Sequence, residues 1–337
     1  MSAPRPVGTL DRTTYLGGSD AAGILGVSPW NTPLKVYLAK TEGEGDQTAE
    51  RERFFRRRKR QEPVVAEDLA REYGVKVTRL STDEHPNRYQ DAEHPFIAAE
   101  VDFEFEMNGA AREHWPALAP IPDGTICNGE IKTVHPFKAY EWGEEGSEEI
   151  PIWYAAQAMH GLGVTGRPAC LVAAAFGIDE LLGFPILRDE ETIAGMRAQE
   201  IAFWTEHVLA RVPPDPSNMG DIKQLFARAM GVPVELTPEI ADEVRRVQRI
   251  RQTIQAFEEE KEAAEFRVAS FIAKRWGLTD PQAAEDAAEL RLDGVALATW
   301  KHQSRTTLDE KALRAAHPEI ARTFARESHF RVLRIKK

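Results

Sequence analysis

Residues 125–135 read TICNGEIKTVH, and this stretch decides the expected fold because it places Glu130 and Lys132 two positions apart in a run typical of a β-strand. Side chains of an extended strand alternate between its faces, so Glu130 and Lys132 project from one face while Ile131 points the other way. Other acid-x-Lys pairs in the chain lie in stretches that favour helices. The pattern therefore predicts a carboxylate and an ammonium side by side on one face of a sheet.

A second acidic residue, Asp102, lies inside the preceding predicted strand, FIAAEVDFEFEM. Burying an unpaired charge in a sheet costs roughly several kcal/mol, so a metal ion or a cation is expected beside it. Mg²⁺ prefers oxygen ligands and keeps several waters, so Asp102, Glu130 and the backbone carbonyl of Ile131 would suit it, and Mn²⁺ would suit the same ligands. Lys132 would orient or help to deprotonate a water that attacks a phosphodiester, and would offset the developing charge.

Helices and strands are expected to alternate along the first two thirds of the chain. Amphipathic runs predict helices from Glu50 to Tyr73, from Trp153 to Val164 and from Glu190 to Leu209, and apolar or alternating runs predict strands between them. This order favours an α/β fold in which helices flank a central sheet.

The Pro-rich segment 213–220 is typical of a linker, which predicts a domain of residues 1–212 and an accessory domain of residues 221–337. Thr237 and Pro238 form a helix-start pair for a long helix with Ile240, Ile254 and Phe257 on its inner face. A hairpin, a helix and a last strand, HFRVLRIKK, are expected to complete this small α+β end.

Composition narrows the class of protein. The 337 residues carry a formal net charge of -11, but residues 51–60, RERFFRRRKR, hold seven basic side chains and one acidic one. The longest apolar run is far too short to cross a bilayer, which predicts a cytoplasmic protein with no membrane partner. The two cysteines exclude a disulfide framework and a four-cysteine iron–sulfur site.

Five motifs in order carry a resemblance to a known family: YLGGSDAAGILGVSPWNTPLKVYLAKTEG, QEPVVAEDLAREYG, HPFIAAEVDFE, GEIKT and YAAQAMHGLGVTGRPACLVAA. In this order they resemble the YqaJ-type viral recombinases, relatives of phage lambda exonuclease in the PD-(D/E)XK nuclease superfamily. The resemblance covers Arg12 to about Pro214. It implies a restriction-endonuclease-like core followed by an accessory domain whose work it does not explain.

The resemblance also implies roles for individual residues. It places Asp102, Glu130 and Lys132 at the metal and catalytic positions, Glu62 as a helix-borne acid that binds metal directly or through water, and Gln157 as the residue that positions the water or Lys132. It further implies that the 5′ phosphate of a DNA end is held by Arg12 and Ser19. The basic run precedes Glu62 on the same predicted helix, so the DNA backbone is expected to contact Arg56, Arg57, Arg58, Lys59 and Arg60.

The chain departs from the family pattern at two places. Residues 57–61 contain no glycine before Glu62, and a long insert separates Asp102 from Glu130. Inside that insert, Asp123 competes with Asp102 as the metal-binding aspartate, although its setting between proline and glycine favours a turn.

The expected function is a Mg²⁺-dependent exonuclease that digests linear duplex DNA from 5′ to 3′ in phage or prophage recombination. The resemblance implies a single-strand annealing protein as partner and a homo-oligomer, a ring-shaped trimer in lambda-type relatives. Two alternatives stay open: a structure-specific or repair endonuclease of the same fold, and a non-catalytic subunit that binds DNA ends.

Overall fold

The TICNGEIKTV segment forms a central strand of a five-stranded mixed sheet. The computed structural model describes residues 5–8, 10–43, 49–82, 84–225, 234–276, 288–300, 306 and 308–325. Its strands, in chain order, are β1 (Arg5–Pro6), β2 (Lys76–Leu80), β3 (Arg88–Gln90), β4 (Ala98–Glu100), β5 (Phe103–Glu106), β6 (Ile126–Val134), β7 (Ala169–Phe176), β8 (Glu180–Leu187), β9 (Ala288–Leu292) and β10 (Val295–Trp300).

The helices follow the same chain-order numbering. They are α1 (Gly18–Ile24), α2 (Pro33–Thr41), α3 (Ala49–Tyr73), α4 (Gly109–His114), α5 (Ile152–Thr165), α6 (Glu190–Phe203), α7 (Met219–Leu225), α8 (Pro238–Trp276), α9 (Glu310–Ala316) and α10 (Pro318–Thr323). A π-helical turn, Trp204–Leu209, continues α6. Short 3₁₀ turns occupy Arg12–Thr14, Pro116–Leu118 and Pro136–Glu141.

The main sheet has the strand order β2-β5-β6-β7-β8. β6 and β7 are parallel and the other neighbouring pairs are antiparallel. Parallel neighbours need a crossover, and α5 provides it between β6 and β7. The expected α/β class with a central mixed sheet is therefore confirmed.

Alternation along β6 separates its two faces. Cys127 and Ile131 join the apolar cluster that contains Val65 and Leu69 of α3. On the other face, the cluster that contains Leu162 of α5 also contains residues of β7 and β8. Glu130 and Lys132 thus share the face covered by α5, as the period of two predicts.

A glycine in β6 leaves room for an aromatic ring of the neighbouring strand to lie against it. Gly129 lies opposite Phe103 of β5. A Cβ at Gly129 would lie 2.2 Å from the Phe103 ring, so no larger residue fits without displacing a fully buried side chain.

The predicted strand FIAAEVDFEFEM is wrong as a single element. It divides at Val101 and Asp102, where β4 leaves a small sheet of order β1-β3-β4 and β5 enters the main sheet. β8 was not predicted, and the helix expected from Glu190 to Leu209 changes to π-helical geometry after Phe203.

The chain divides into two compact units, Met1–Gln224 and Leu225–Lys337. In the second unit, β9 and β10 form the expected hairpin. Asp293 and Gly294 at its turn have φ values of 49° and 80°, as a two-residue type I′ turn requires. The predicted last strand, HFRVLRIKK, lies outside the described residues. No helix of the described residues is long and apolar enough to cross a membrane.

Candidate active site

Three side chains form a closed hydrogen-bonded group on the α5 face of β6. The Lys132 ammonium donates to Glu130 Oε2 at 2.8 Å and to Gln157 Oε1 at 3.2 Å. The Gln157 amide nitrogen donates to the same Glu130 oxygen at 2.8 Å. The structure therefore brings together the acid and lysine of the E-x-K pattern and the glutamine of the following helix.

The spacing of α5 explains why Gln157 lies there. Residues three or four positions apart share one side of a helix, and Tyr154, Gln157 and Gly161 all face β6. The Lys132 ammonium lies 5.4 Å from the centre of the Tyr154 ring. A Cβ at Gly161 would lie 3.5 Å from the Asn128 amide nitrogen, and this nitrogen donates to Thr165 Oγ1 at 3.1 Å. One side of α5 thus follows the polar side chains of β6.

Asp102 lies where β5 ends its pairing with β6. Phe103, the first residue of β5, pairs with Gly129 of β6. Asp102 precedes it, and its Oδ2 accepts a hydrogen bond from the Ile131 backbone N–H at 2.7 Å. The N–H and C=O of one strand residue point to the same side, so the Ile131 carbonyl is expected to face Asp102 as well. The Asp102 carboxylate is thus held beside β6, at the residue that directly follows Glu130.

Asp123 lies elsewhere. Its exposed carboxylate pairs with Arg112 at 2.8 Å, in a turn that Gly124 closes with a φ of 81°. Among the two aspartates that the sequence offered, the structure brings Asp102 next to Glu130 and leaves Asp123 on the surface.

Glu62 approaches this group from α3. Burial raises the pKa of Glu62 to about 7, the negative charge of Asp102 adds to that rise, and Lys59 opposes it. Lys132 and Glu130 act on Glu62 more weakly. The acid expected from the helix is therefore within electrostatic reach of the other site residues. Lys59, the lysine of the basic run, is within electrostatic reach of Glu62.

The charges of the central group are strongly coupled. Burial raises the pKa of Glu130 and of Asp102, while the Lys132 ammonium opposes both rises. Burial alone would lower the pKa of Lys132, but Glu130 and Asp102 outweigh it and raise that pKa above its ordinary value. The site gathers more carboxylates than its lysine can neutralise.

This excess of acid fits a divalent cation. Among the residues that the structure describes, no group of three His, Cys, Asp or Glu side chains is arranged to hold a metal ion as it stands. Mg²⁺ does not need three protein carboxylates, because it keeps several waters. Asp102, Glu130 and the Ile131 carbonyl would supply oxygen ligands to such an ion, and Glu62 lies within electrostatic reach of them.

The basic run forms the first half of α3. Arg56, Arg57, Arg58, Lys59 and Arg60 are all exposed. The Arg58 guanidinium lies 4.5 Å from the centre of the Phe54 ring. Val65 and Leu69, in the second half of the helix, are buried in the core. Pro63 separates the two halves and cannot donate the usual hydrogen bond to the Lys59 carbonyl.

Arg12 and Ser19 meet at the start of α1, and we call this group, together with Asp20, the N-terminal pocket. Arg12 Nη2 donates to Ser19 Oγ at 3.0 Å and lies 3.7 Å from the Asp20 carboxylate. Both Arg12 and Ser19 are exposed, so a ligand can reach them. The pocket is fixed to β4 because the Leu16 N–H donates to Phe96 and the Ala98 N–H donates to Leu16.

Sequence reasoning missed the buried pair behind this pocket. The Lys40 ammonium donates to the Arg12 carbonyl at 2.8 Å and pairs with Asp20 at 2.8 Å. The side chain of Lys40 is only 2% exposed. A signal was present, because Lys40 follows Tyr37 by three positions on the apolar side of α2, where a lysine needs a buried partner.

Gly18 connects the N-terminal pocket to the central group. A Cβ at Gly18 would lie 2.8 Å from Gln157 Cγ and 3.3 Å from the Gln157 carbonyl oxygen. Only a residue without a side chain lets α1 approach α5 this closely. The close packing of α1 against α5 therefore requires glycine at the second position of the GGSD motif.

His160, one turn after Gln157, is not an ordinary polar surface residue. Its ring Nδ1 lies 2.6 Å from Glu200 and its Nε2 lies 3.0 Å from the Ala98 carbonyl oxygen. Burial would lower the pKa of His160, but the Glu200 carboxylate outweighs it and raises that pKa. His160 fixes α5 to α6 and β4 and does not belong to the central group.

Comparison with known proteins finds a similar family and similar chains. Residues 9–168 match the YqaJ-like viral recombinase domain. The uncharacterized protein YqaJ of Bacillus subtilis (strain 168) is 26% identical over 336 residues, which cover 97% of this chain and 93% of that protein. The alkaline exonuclease LHK-Exo of Laribacter hongkongensis aligns with a TM-score of 0.43 and 16% identity over 60% of this chain and 91% of that one. Its complex with dAMP aligns with a TM-score of 0.42 at the same identity and coverage.

The family match spans the N-terminal pocket, the first half of the sheet, the E-x-K strand and Gln157 of α5. All five sequence motifs fall within this range or end just beyond it. Residues 9–168 of the chain are therefore similar to the YqaJ-like viral recombinase domain.

Proposed function

We propose that this deoxyribonuclease is a Mg²⁺-dependent exonuclease that digests linear duplex DNA from 5′ to 3′ in phage or prophage recombination. The observation that supports it best is the closed group of Glu130, Lys132 and Gln157 beside Asp102. Asp102, Glu130, the Ile131 carbonyl and Glu62 would hold the ion, and Mn²⁺ would suit the same oxygen ligands.

The residues divide the chemistry between them. The bound ion would supply a Lewis acid for a phosphate oxygen and lower the pKa of a water. Lys132 is cationic because its pKa is raised, so it would orient the attacking water and offset negative charge on the phosphate rather than remove a proton. Gln157 holds Lys132 and Glu130 at fixed positions through its two amide atoms.

The N-terminal pocket would select the DNA end. An arginine and a hydroxyl offer matched donors to a terminal 5′ phosphate, which carries more charge than a phosphodiester inside the chain. The contact of Gly18 with Gln157 would keep this phosphate at a constant distance from the central group. The exposed side chains Arg56 to Arg60 would contact the DNA backbone without reading its sequence.

The family resemblance extends the proposal to the assembly. A single-strand annealing protein would receive the strand that digestion leaves, and a ring-shaped trimer would keep the enzyme on its substrate. The protein would work in the cytoplasm of a bacterial host cell. Residues 1–212 would form the nuclease domain, joined through 213–220 to an accessory domain of residues 221–337.

A digestion assay tests the proposal. The substrates are linear duplex with a 5′ phosphate, the same duplex with a 5′ hydroxyl and a closed circle, each with Mg²⁺ or EDTA. We expect loss of the linear phosphorylated duplex only with Mg²⁺, and no digestion by Lys132→Ala. Cutting of the closed circle would favour an endonuclease of the same fold. Binding of DNA ends by a wild-type protein that never cuts would favour the non-catalytic subunit.

A matched pair of variants tests the choice of aspartate. Asp102→Asn should abolish digestion, because it removes a ligand that lies one residue from Glu130. Asp123→Asn should leave digestion within about twofold of the wild type, since Asp123 makes only an exposed pair with Arg112. The reverse result would identify Asp123 as the metal ligand.

A further inference from the structure

A regular apolar stripe runs along α8. Between Val247 and Phe271, the side chains at alternating intervals of three and four residues, the spacing of a coiled-coil heptad, are apolar at every position except Lys261. The stripe consists of Val247, Ile250, Ile254, Phe257, Lys261, Ala264, Val268 and Phe271. It spans 24 residue steps, or about 36 Å of helix.

This stripe, which includes Ile254 and Phe257 of the predicted inner face, is open to solvent. In the described part of the chain, Phe257 is 65% exposed and Phe271 is 69% exposed, and Ile250, Ile254 and Val268 are each about half exposed. A surface helix of a monomer normally turns its apolar side chains inward. An exposed stripe of this length and regularity is the usual seam of a helix that pairs with a second chain.

We propose that α8 pairs with α8 of a second copy of this chain as an antiparallel two-stranded coiled coil, with Val247 of one copy opposite Phe271 of the other. The surface that each copy contacts is then the same apolar stripe on the other copy. The side-chain sizes and the flanking charges both select this arrangement over a parallel one.

Side-chain size is the first argument. In the antiparallel register, large residues meet small ones: Val247 faces Phe271, Ile250 faces Val268, Ile254 faces Ala264 and Phe257 faces the Lys261 stem. In a parallel register, each residue would face its own copy. Two phenylalanine pairs would crowd the seam, and Ala264 would leave a gap, both of which weaken packing.

Charge is the second argument. A parallel pair would place Arg246 beside Arg251 of the partner and Glu260 beside Glu265 of the partner, and each contact would occur twice. The antiparallel register instead places Arg251 beside Glu265 of the other copy, twice, and at its two ends places Arg246 beside Lys274. Glu258 and Glu260 then meet their own copies at the centre, where the two Lys261 ammonium groups lie between them.

The first test compares two phenylalanines of α8 in the full-length protein. Phe257 lies on the stripe and Phe266 lies off it, yet both are strongly exposed, at 65% and 71%. Light scattering should give the wild type a mass that is an even multiple of the chain, which is a hexamer where α8 joins two of the trimers proposed above. Phe257→Glu should halve that mass, and Phe266→Glu should leave it unchanged. A wild type of odd multiplicity, or equal behaviour of the two variants, would overturn the proposal.

The second test fixes the direction of the pair. Val247→Cys together with Phe271→Cys should form interchain disulfides under mild oxidation, whereas Val247→Cys alone should form none. The two positions of one helix lie about 36 Å apart, so they cannot join within a chain. The native cysteines, Cys127 and Cys170, are buried and do not compete. Crosslinking of the single variant would show a parallel pair and overturn the proposed register.

Discussion

The buried pair of Lys132 and Glu130 gives a prediction that does not depend on catalysis. Lys132→Met removes the ammonium and leaves the Glu130 carboxylate, whose side chain is only 4% exposed, without a cation. Breaking a buried pair in this way costs about 3–5 kcal/mol of unfolding free energy. We expect a value near the lower limit, about 3 kcal/mol, because the Gln157 amide still donates to Glu130 at 2.8 Å.

The assay is chemical denaturation at pH 8.5 in EDTA, so that no divalent ion replaces the ammonium. Lys138→Met is the matched control, because Lys138 pairs with Glu141 at the surface, where solvent screens the pair and its loss should change stability little. The double variant Glu130→Gln/Lys132→Met removes both charges and should recover most of the stability that the single variant loses. Both variants of the central group should remain inactive on DNA.

The pH dependence has a definite sign. Glu130 has a raised pKa in the folded protein, so its buried charge destabilises the Lys132→Met variant above that pKa and disappears as the carboxyl becomes protonated. The stability difference between wild type and Lys132→Met should therefore shrink from pH 8.5 toward pH 5. A loss no larger than that of Lys138→Met, or a double variant as unstable as the single one, would refute the buried pair.

Three further predictions concern the surroundings of the central group. Gly18→Ala should slow DNA digestion at least tenfold by displacing Gln157, whereas Gly195→Ala, where nothing lies within 4 Å of the new Cβ, should leave the rate unchanged. Lys40→Met should lower the preference for a 5′ phosphate over a 5′ hydroxyl and reduce the unfolding free energy by about 3 kcal/mol; an unchanged preference would separate Lys40 from the N-terminal pocket. His160 has a raised folded pKa, so its stabilising charge is present below about pH 6.5 and is lost as pH rises through that pKa. The stability difference between wild type and His160→Gln should thus be largest in acid, and a difference that grows with pH would contradict this assignment.

The sequence predicted the central strand because one local rule decides it. The period of two placed Glu130 and Lys132 on one face, and that face is the one α5 covers. The position of Asp102 could not be derived from the same rule. It lies at a break where the chain passes from one sheet to another, and such a break depends on which strands pair.

β8 was missed for a different reason. Its sequence contains Gly183 and Pro185, and both residues normally weaken a strand assignment. β8 lies at the edge of the main sheet, where proline is tolerated. Gly183 is required because a Cβ there would lie 2.3 Å from the Trp115 side chain. The edge position and the contact with Trp115 are tertiary features, and no sequence pattern within β8 indicates them.

The buried residues behind the N-terminal pocket were also missed because their roles depend on tertiary contacts. Arg12 and Ser19 were placed through the family resemblance, and the structure brings them within 3.0 Å. Gly18 and Asp20 belong to the GGSD motif and Lys40 lies on the apolar side of α2, but no sequence pattern shows which residues these three contact. Their importance comes from contacts between α1, α2 and α5.

The division of α3 at Pro63 has a consequence for the motion of this helix. Residues after Pro63 are held by buried side chains such as Val65 and Leu69, whereas the described side chains up to Gln61 are exposed. Because the hydrogen bond to the Lys59 carbonyl is missing, the two halves are free to open independently. Amide hydrogens before Pro63 should exchange with solvent far faster than those after it. In the proposed complex with DNA, the cationic half of α3 would then adjust to DNA of varying curvature while the core holds the other half still.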